Sequence, residues 1–251
     1  MEVPQLRVSR IRPVLLATLL ITSLFPVTAR ALPAGRTGAE QVRLSAMPLG
    51  TVAYSAGLYQ GDCPRFPITN KTVCGRFLER WLKIGNHVHD DSMSLVGLPL
   101  TEARREVSPT DGKVYETQWF ERARMELHPA NQPPYDVLLG LLGVTAVEGR
   151  QGERPFKPVS PTGGNVTWFP QTQHTLGDDS QGGRAIAQAW HDLGGLAQFG
   201  YPLSQPFSER SKDDDKQYLV QYFERQRLEY HPEAGIEDRV QFGRLGAEQL
   251  P

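Results

Sequence analysis

The residues best suited to chemistry lie in one short stretch of the chain, residues 118–129. Glu126 and His128 stand two positions apart in it, and carboxylate and imidazole groups are common partners in general acid–base catalysis. Arg122 and Arg124 lie just before them, and guanidinium groups bind carboxylates and phosphates. The stretch therefore permits two kinds of chemistry, acid–base catalysis and the binding of an anion.

This stretch occurs twice in the chain. Residues 221–232 repeat it at an offset of 103, and the offset holds without a gap between residues 97–143 and 200–246, which we call the first copy and the second copy. The copies are identical at 20 of 47 aligned positions. A fixed offset defines the repeated structural unit. A motif that both copies carry is therefore more typical of the structure of that unit than of a single catalytic site. The duplication favours a bonding and turn role for His128-Pro129 and His231-Pro232.

Aromatic and arginine side chains of the repeated stretch could instead bind a ligand by stacking on sugar rings or by holding carboxylates and phosphates. The candidates are Trp119, Arg122, Arg124, Tyr222, Arg225 and Arg227. In the commoner arrangement, such aromatics pack inward and the arginines are solvated. A third arrangement pairs the arginines with Glu121 or Glu126 in a buried network. The sequence leaves these three arrangements open.

Metal binding has one weak candidate, a loop before the first copy that has no counterpart before the second copy. His87, His89 and Asp90 supply imidazole and carboxylate groups that suit zinc or a similar ion. No third ligand follows at a fixed spacing, so a solvated polar loop is favoured and no cofactor is predicted. Residues 213–215 lack the glycine and distal glutamate of a calcium loop, and they predict a turn.

The periodicity predicts an α+β fold of two tandem, similar modules, each with one helix packed on a small antiparallel sheet or hairpin. Apolar residues at helical spacing place a helix at about 72–84, capped by Thr72, and a second one at about 183–193. Alternating residues predict a hairpin with its turn at 121–124. Because this turn lacks glycine, a continuous strand through the two arginines is the alternative.

The beginning of the chain has the pattern of an export signal. Arginines precede an apolar run, and Ala29-Arg30-Ala31 fits the small-x-small cleavage rule, so we expect cleavage after Ala31, with an uncleaved membrane anchor as the alternative. The predicted organisation is a signal peptide (1–31), an N-terminal segment (32–62), module 1 (63–146), a Pro/Gly-rich linker (147–165) and module 2 (166–251).

Cys63 and Cys74 are the only cysteines, and both lie in the part of the chain that is predicted to be exported. In an oxidising compartment such a pair is expected to form a disulfide, and two free thiols are the alternative. The ten residues between them exclude a CxxC redox motif.

A family resemblance rests on short motifs that both copies carry. Residues 97–102 read Gly-Leu-Pro-Leu-Thr-Glu, residues 118–121 read Gln-Trp-Phe-Glu, and Gly140 follows; the second copy has Gly-Tyr-Pro-Leu-Ser at 200–204 and Gln-Tyr-Phe-Glu at 221–224. This pattern resembles the LGFP repeat, which occurs in secreted bacterial proteins and is thought to hold them at the cell wall. The whole unit is similar to a module of secreted proteins from filamentous green bacteria and their relatives.

The chain departs from the LGFP pattern at the hairpin, where Arg122-Ala123 and Arg225-Gln226 replace Gly-Gly. This change puts a shared ligand in doubt, and the resemblance implies no catalytic residues. What it implies is a secreted or extracytoplasmic protein, with association with the cell surface left open.

The function that these observations predict is non-enzymatic binding or scaffolding, with a cell-wall or envelope polymer, or another envelope protein, as partner. A metal-assisted envelope hydrolase and a structural spacer are the alternatives. No basic stripe suggests nucleic-acid binding. No transmembrane segment is expected once the signal has been cleaved.

Overall fold

The structure is a computed structural model, and it describes residues 63–84, 95–161, 166–236 and 238–251. These residues form short helices and small antiparallel sheets, which confirms a mixed α+β fold. They all belong to one compact unit. The predicted signal peptide and N-terminal segment lie outside the described residues.

The first described elements are a two-stranded ladder and a helix. Strands β1 (Arg65–Phe66) and β2 (Lys71–Thr72) pair antiparallel, and helix α1 (Gly75–Lys83) follows them. Phe77 and Trp81 of α1 are buried, as the periodicity predicts. The Trp81 indole Nε1 donates a hydrogen bond to the carbonyl of Gly97 (3.1 Å), which fixes the helix against the start of the first copy.

The predicted start of this helix is wrong. Thr72 lies in β2, where its backbone N–H and its Oγ1 donate to the carboxylate of Glu102. Cys74 occupies the position before the helix and makes no side-chain cap. Because the hydroxyl of Thr72 bonds to Glu102, it does not cap the helix, and α1 begins at Gly75.

The sulfur atoms of Cys63 and Cys74 lie 2.11 Å apart, at disulfide bonding distance. The bond joins Cys63, two positions before β1, to Cys74, the residue before α1. It therefore ties the segment before β1 to the start of α1, and it confirms the disulfide predicted from the cysteine pair.

The first copy forms a four-stranded antiparallel sheet in chain order, with strands β3 (Arg104–Val107), β4 (Val114–Trp119), β5 (Arg124–Leu127) and β6 (Val137–Leu139). Successive side chains of a strand point to opposite faces. Gln118 lies opposite Met125, and Met125 lies opposite Leu139, so these three buried residues share the inner face. Helix α2 (Leu142–Ala146) follows the sheet.

The segment between the copies contributes several short elements. They are the 3₁₀ helix η1 (Arg154–Phe156), the paired strands β7 (Thr167–Phe169) and β8 (His174–Leu176), helix α3 (Gln181–Asp192) and helix α4 (Gly195–Gln198). Phe156 is buried, and the carbonyl of Pro155 accepts a hydrogen bond from the backbone N–H of Gln205 (2.7 Å). Part of the predicted linker thus packs against the second copy.

Helix α3 begins two residues before the predicted start at 183. Ser180 caps it, since its side-chain oxygen accepts a hydrogen bond from the N–H of Gly183 (2.9 Å). Ile186 and Trp190 are buried as predicted, and the Trp190 indole donates to the carbonyl of Gly200 (3.1 Å).

The second copy forms an equivalent sheet from β9 (Phe207–Arg210), β10 (Gln217–Tyr222), β11 (Arg227–Tyr230) and β12 (Val240–Phe242), and it ends in helix α5 (Leu245–Gln249). Each strand begins and ends 103 residues after its counterpart in the first copy. The equivalence extends to side-chain hydrogen bonds. Gln118 donates to the carbonyl of Thr72, and Gln221 donates to the carbonyl of Thr175, both at 2.7 Å.

Both predicted hairpins are confirmed, and the continuous-strand alternative is wrong. The N–H of Phe120 bonds to the carbonyl of Ala123 and that of Phe223 to the carbonyl of Gln226, each at 2.8 Å. No glycine is needed, because the preceding loop holds each turn. In the first copy, the N–H of Glu121 donates to the carbonyl of Leu98 (3.0 Å).

The helix that follows each sheet, α2 or α5, packs on the hairpin turn of the other copy. The N–H of Val144 in α2 donates to the carbonyl of Glu224 (3.2 Å), and that of Ala247 in α5 donates to the carbonyl of Glu121 (2.9 Å). A Cβ at Gly143 would overlap the carbonyl oxygen of Phe223, and α5 makes the equivalent approach through Gly246. The two copies are therefore joined by reciprocal contacts that only glycine permits.

Among the described residues, none of the helices is long and apolar enough to cross a membrane.

Candidate functional site

The arginine and glutamate side chains of β5 and β11, which both copies carry, are buried. Arg124 and Arg227 are 3% and 4% exposed. Arg124 pairs with Glu126 of the same strand and with Glu106 (3.3 Å). Arg227 pairs with Glu229 (2.6 Å) and with Glu248 of α5 (2.9 Å). Both guanidinium groups are almost wholly buried, so the predicted binding surface of these two arginines is replaced by a buried network.

The histidines continue this network. His128 Nε2 lies 2.9 Å from Glu126, and His231 Nε2 lies 3.3 Å from Glu229. A tyrosine ring stacks on each imidazole with a centroid distance of 3.8 Å, Tyr115 in the first copy and Tyr218 in the second. The histidines thus make structural contacts with glutamate and tyrosine side chains of the same sheet, as the duplication indicates.

Each tyrosine in turn donates its hydroxyl to an aspartate of the neighbouring turn. The distance is 2.7 Å from Tyr115 to Asp111 and 2.6 Å from Tyr218 to Asp214. We call these side chains the shared network: Asp111, Tyr115, Arg124, Glu126 and His128 in the first copy, and Asp214, Tyr218, Arg227, Glu229 and His231 in the second.

In the second copy, the surroundings of Asp214, Glu229 and Arg227 favour the charged forms of these three groups. The hydrogen bond from Tyr218 lowers the pKa of Asp214 to about 2. Burial alone would raise the pKa of Glu229, but the bonds from His231 and Arg227 outweigh burial and lower it. The same balance, with Glu229 as the strongest opposing charge, raises the pKa of Arg227. These groups are fixed as ions, which suits a structural network better than proton transfer near neutral pH.

The copies differ next to the network, at the position that holds Trp119 in one and Tyr222 in the other. In the first copy the Trp119 indole Nε1 donates to Glu106 (2.9 Å). Glu106 also accepts from Arg104 and Arg124. These donors outweigh burial and lower the pKa of Glu106.

In the second copy the hydroxyl of Tyr222 donates to Glu209 (2.7 Å). The cation that completes this pair is Arg150, which lies beyond α2 and outside both copies, at 2.8 Å from Glu209. Its guanidinium group also lies 4.6 Å from the centre of the Phe156 ring. Burial and the charge of Glu209 raise the pKa of Tyr222 to about 12.

A polar cleft of about 270 Å³ lies beside Tyr222. Its walls come from the outer strand of the second sheet, from the end of α2 and from α5, and its charged residues are Arg150, Glu209, Arg210, Lys212, Arg227 and Glu248. Lys212 and Arg210 form an exposed rim, with side chains 72% and 63% exposed. All four cations of the lining are paired: Arg150 with Glu153 and Glu209, Arg210 with Asp215, Lys212 with Glu248, and Arg227 with Glu229 and Glu248.

Arg122 and Arg225 are half-buried, and each donates a hydrogen bond to a backbone carbonyl. Arg122 Nε donates to the carbonyl of Phe242 in the second copy (2.9 Å), and Arg225 donates to the carbonyl of Leu196 (3.2 Å). Each also lies near the glutamate that precedes it, at 3.6 and 3.7 Å. Burial lowers the pKa of Arg122. Their contacts position the hairpin turns against neighbouring elements.

The six predicted binding residues therefore divide into two groups. Trp119, Arg124, Tyr222 and Arg227 are buried, and only Tyr222 and Arg227 line the cleft. The metal candidates His87, His89 and Asp90 lie outside the described residues. Within the described part of the chain, no group of three or more His, Cys, Asp or Glu side chains is placed to hold a metal ion.

Sequence reasoning missed three residues of this region, Arg150, Glu209 and Glu248. Glu209 carried a usable signal, because it is identical to Glu106 at the repeat offset. Arg150 and Glu248 both lie outside the two copies, and the position that the offset of 103 assigns to Glu248 holds Thr145. No repeat signal could have identified either of these two.

No protein-family model matches the chain, and no curated protein is significantly similar to it.

Proposed function

We propose that this chain is a secreted, non-enzymatic protein that binds a cell-wall or envelope polymer, or another envelope protein. The observation that carries the proposal is the closed shared network. The groups of the repeated stretch that are best suited to acid–base chemistry are buried or half-buried, and they are bonded to one another in both copies. The stretch therefore acts as a frame, and the cleft beside Tyr222 offers the polar surface for a ligand.

We further propose that the architecture is two copies of one module. The equivalent sheets and the reciprocal contacts of α2 and α5 support this organisation. Because each module completes the packing of the other, the pair would act as one rigid body. A rigid scaffold positions binding groups with little loss of conformational entropy.

Two features support an extracytoplasmic location. The bond between Cys63 and Cys74 is typical of an oxidising compartment. The resemblance to LGFP repeats adds the expectation of attachment at the cell wall. With a predicted export signal in front of them, both features favour a role at the envelope.

The direct test is sedimentation of purified exported protein with isolated cell envelopes. We expect the protein to pellet with the envelopes in a saturable way. Protein that stays in the supernatant at every envelope concentration would favour the structural spacer. Stoichiometric zinc in the purified protein, measured by elemental analysis, would favour the metal-assisted hydrolase.

A further inference from the structure

We propose that a surface around Tyr201 binds a sugar unit of a polysaccharide chain, with the Tyr201 ring stacked on the sugar. The surface consists of Phe169, Leu196, Tyr201, Glu224 and Arg225, and we call it the Tyr201 surface. This inference rests on the proposed function, because it names the class of polymer that the chain would bind. It adds a second surface to the cleft beside Tyr222.

The members of the Tyr201 surface are joined to one another by direct contacts. The backbone N–H of Tyr201 donates to Glu224 Oε2 (3.1 Å), and the Tyr201 ring meets the Phe169 ring edge to face with a centroid distance of 5.4 Å. Arg225 follows Glu224 in the turn, and its guanidinium group donates to the carbonyl of Leu196 (3.2 Å). An aromatic pair, an acid, a base and an aliphatic side chain thus lie side by side.

The aromatic part of this surface distinguishes the second copy from the first. At the repeat offset, Phe169 and Tyr201 correspond to Phe66 and Leu98, which are 1% and 7% exposed. Phe169 and Tyr201 are only half-buried. Among the described residues, no group bonds to the hydroxyl of Tyr201. Since a leucine serves the frame in the first copy, the packing does not require a tyrosine here.

The carboxylate of the surface also differs between the copies. In the first copy, Oε2 of Glu121 accepts from a backbone N–H, and Oε1 accepts from Arg244 (3.0 Å). In the second copy, Oε2 of Glu224 again accepts from a backbone N–H, but the residue that corresponds to Arg244 is Leu141. Within the described part of the chain, Oε1 of Glu224 therefore accepts no hydrogen bond. The second copy leaves one carboxylate oxygen available to a ligand.

This combination of groups matches the chemistry of a sugar. A pyranose ring has apolar C–H groups on its faces and hydroxyl groups around its rim. The Tyr201 ring offers an apolar face, the Glu224 carboxylate accepts from hydroxyl groups, and the Arg225 guanidinium group donates to them. The charges of Glu224 and Arg225 lie 3.7 Å apart and oppose each other, so the pair favours a neutral ligand with many hydroxyl groups.

The first experiment is sedimentation of the purified exported protein with three insoluble polysaccharides: chitin, cellulose and peptidoglycan sacculi. We expect saturable binding to at least one of them, and release by soluble oligosaccharides of the same sugar. The polymer that binds identifies the sugar. Absence of binding to all three polymers would overturn the inference.

The decisive variant is Tyr201→Leu, which installs the residue that the first copy carries. We expect its affinity for the polysaccharide to fall about tenfold, which corresponds to about 1.4 kcal/mol, while its circular dichroism remains that of the folded protein. Tyr135→Leu is the matched control, because Tyr135 is 65% exposed and lies outside the Tyr201 surface. Equal affinity in the wild type and Tyr201→Leu would overturn the inference.

Leu141→Arg tests the same surface without removing a ring. It offers Glu224 the partner that Arg244 gives to Glu121 in the first copy. Because the new arginine competes with the sugar for Oε1, we expect the affinity to fall about fivefold, the effect of one hydrogen bond. Unchanged affinity in folded Leu141→Arg protein would also overturn the inference.

Envelope sedimentation separates this inference from the proposed function. If the wild type and Tyr201→Leu pellet equally with envelopes, the proposed function stands and the inference fails. If protease treatment of the envelopes abolishes binding, the partner is an envelope protein, and the inference again fails. If the wild type binds a purified polysaccharide through Tyr201 and does not pellet with envelopes, the sugar site stands and the envelope role fails.

Discussion

The two copies carry an equivalent glutamate, Glu106 or Glu209, that is bonded to different partners in each copy. Glu106 in the first copy is satisfied by Arg104, Arg124 and Trp119 of its own sheet. Glu209 in the second copy is satisfied by Tyr222 and by Arg150, which comes from the segment between the copies. The same backbone frame therefore supports a locally closed surface in one copy and a cleft in the other.

This difference shows which residues define the frame. The shared network is identical in the two copies, and it is buried or bonded wherever it occurs. Some of the residues that differ, such as Val107 and Arg210 or Trp119 and Tyr222, lie at the side of the network where the cleft forms. Others lie in the core, such as Met125 and Leu228, so the same backbone frame accepts different buried side chains.

The largest expected effect concerns the phenylalanines of the two turns. Phe120 and Phe223 are both fully buried, so Phe120→Ala and Phe223→Ala should each lower the free energy of unfolding by about 3–5 kcal/mol. Phe223 also lies 6.3 Å from Phe199, an aromatic contact that adds about 0.5–1.5 kcal/mol to its cost. Denaturant unfolding of the two variants measures this, and a cost below about 1 kcal/mol for either would contradict the shared frame.

The next effect tests the reciprocal contacts between the copies. Gly143→Ala and Gly246→Ala place a methyl group against a backbone carbonyl of the opposite turn, and each should cost about 3 kcal/mol, the upper end for overpacking. Gly152→Ala is the control, because nothing lies near its Cβ position and its cost should stay within about 0.5 kcal/mol. Thermal unfolding of the three variants is the measurement. A cost for one glycine and none for the other would show that the contacts are not equivalent.

A smaller effect is expected for Glu229→Gln in the second network. Arg227 keeps Glu248 as a partner, so the loss should be about 1.5 kcal/mol at neutral pH, the low end for hydrogen bonds to charged groups. The folded-state pKa of Glu229 is lowered, so its contribution is complete above the ordinary value of about 4.3 and is lost as the pH falls through the folded-state value. Urea unfolding between pH 7 and pH 3 should therefore show a shallower acid loss in the variant. An acid loss as steep as in the wild type would remove Glu229 from the network.

Much of the frame could be predicted from the sequence because its signals are local or repeated. Alternation and the fixed offset indicated the hairpins, and helical spacing indicated the inward tryptophans Trp81 and Trp190. The helix start at Thr72 was predicted wrongly, because a capping residue and a strand residue that bonds to a distant carboxylate look alike in sequence. Glu102, its partner, lies 30 residues away.

The cleft could not be predicted, because its pairs join residues that are far apart in the chain. Arg150 reaches Glu209, and Glu248 reaches Arg227. Such pairs follow no periodicity. A buried network of arginines and glutamates was one of the three arrangements that the sequence left open. The sequence could not choose among them, because arginines are mostly exposed and only a complete set of acceptors makes their burial favourable.

The smallest effect concerns His174 of β8, which lies before the second copy and corresponds to Lys71 of β2 at the repeat offset of 103. Burial lowers the pKa of His174, and its Nδ1 accepts a hydrogen bond from Gln205 (3.1 Å), so the folded protein favours neutral imidazole. As the pH falls below about 6.5, the unfolded chain takes up the proton first, and stability declines toward the folded-state pKa. His174→Asn keeps an acceptor and cannot titrate. The difference in unfolding free energy between wild type and variant should therefore shift in favour of the variant between pH 7.5 and pH 5.5. If this difference does not change with pH, the protein does not hold a neutral histidine in β8 at the position that corresponds to Lys71 of β2.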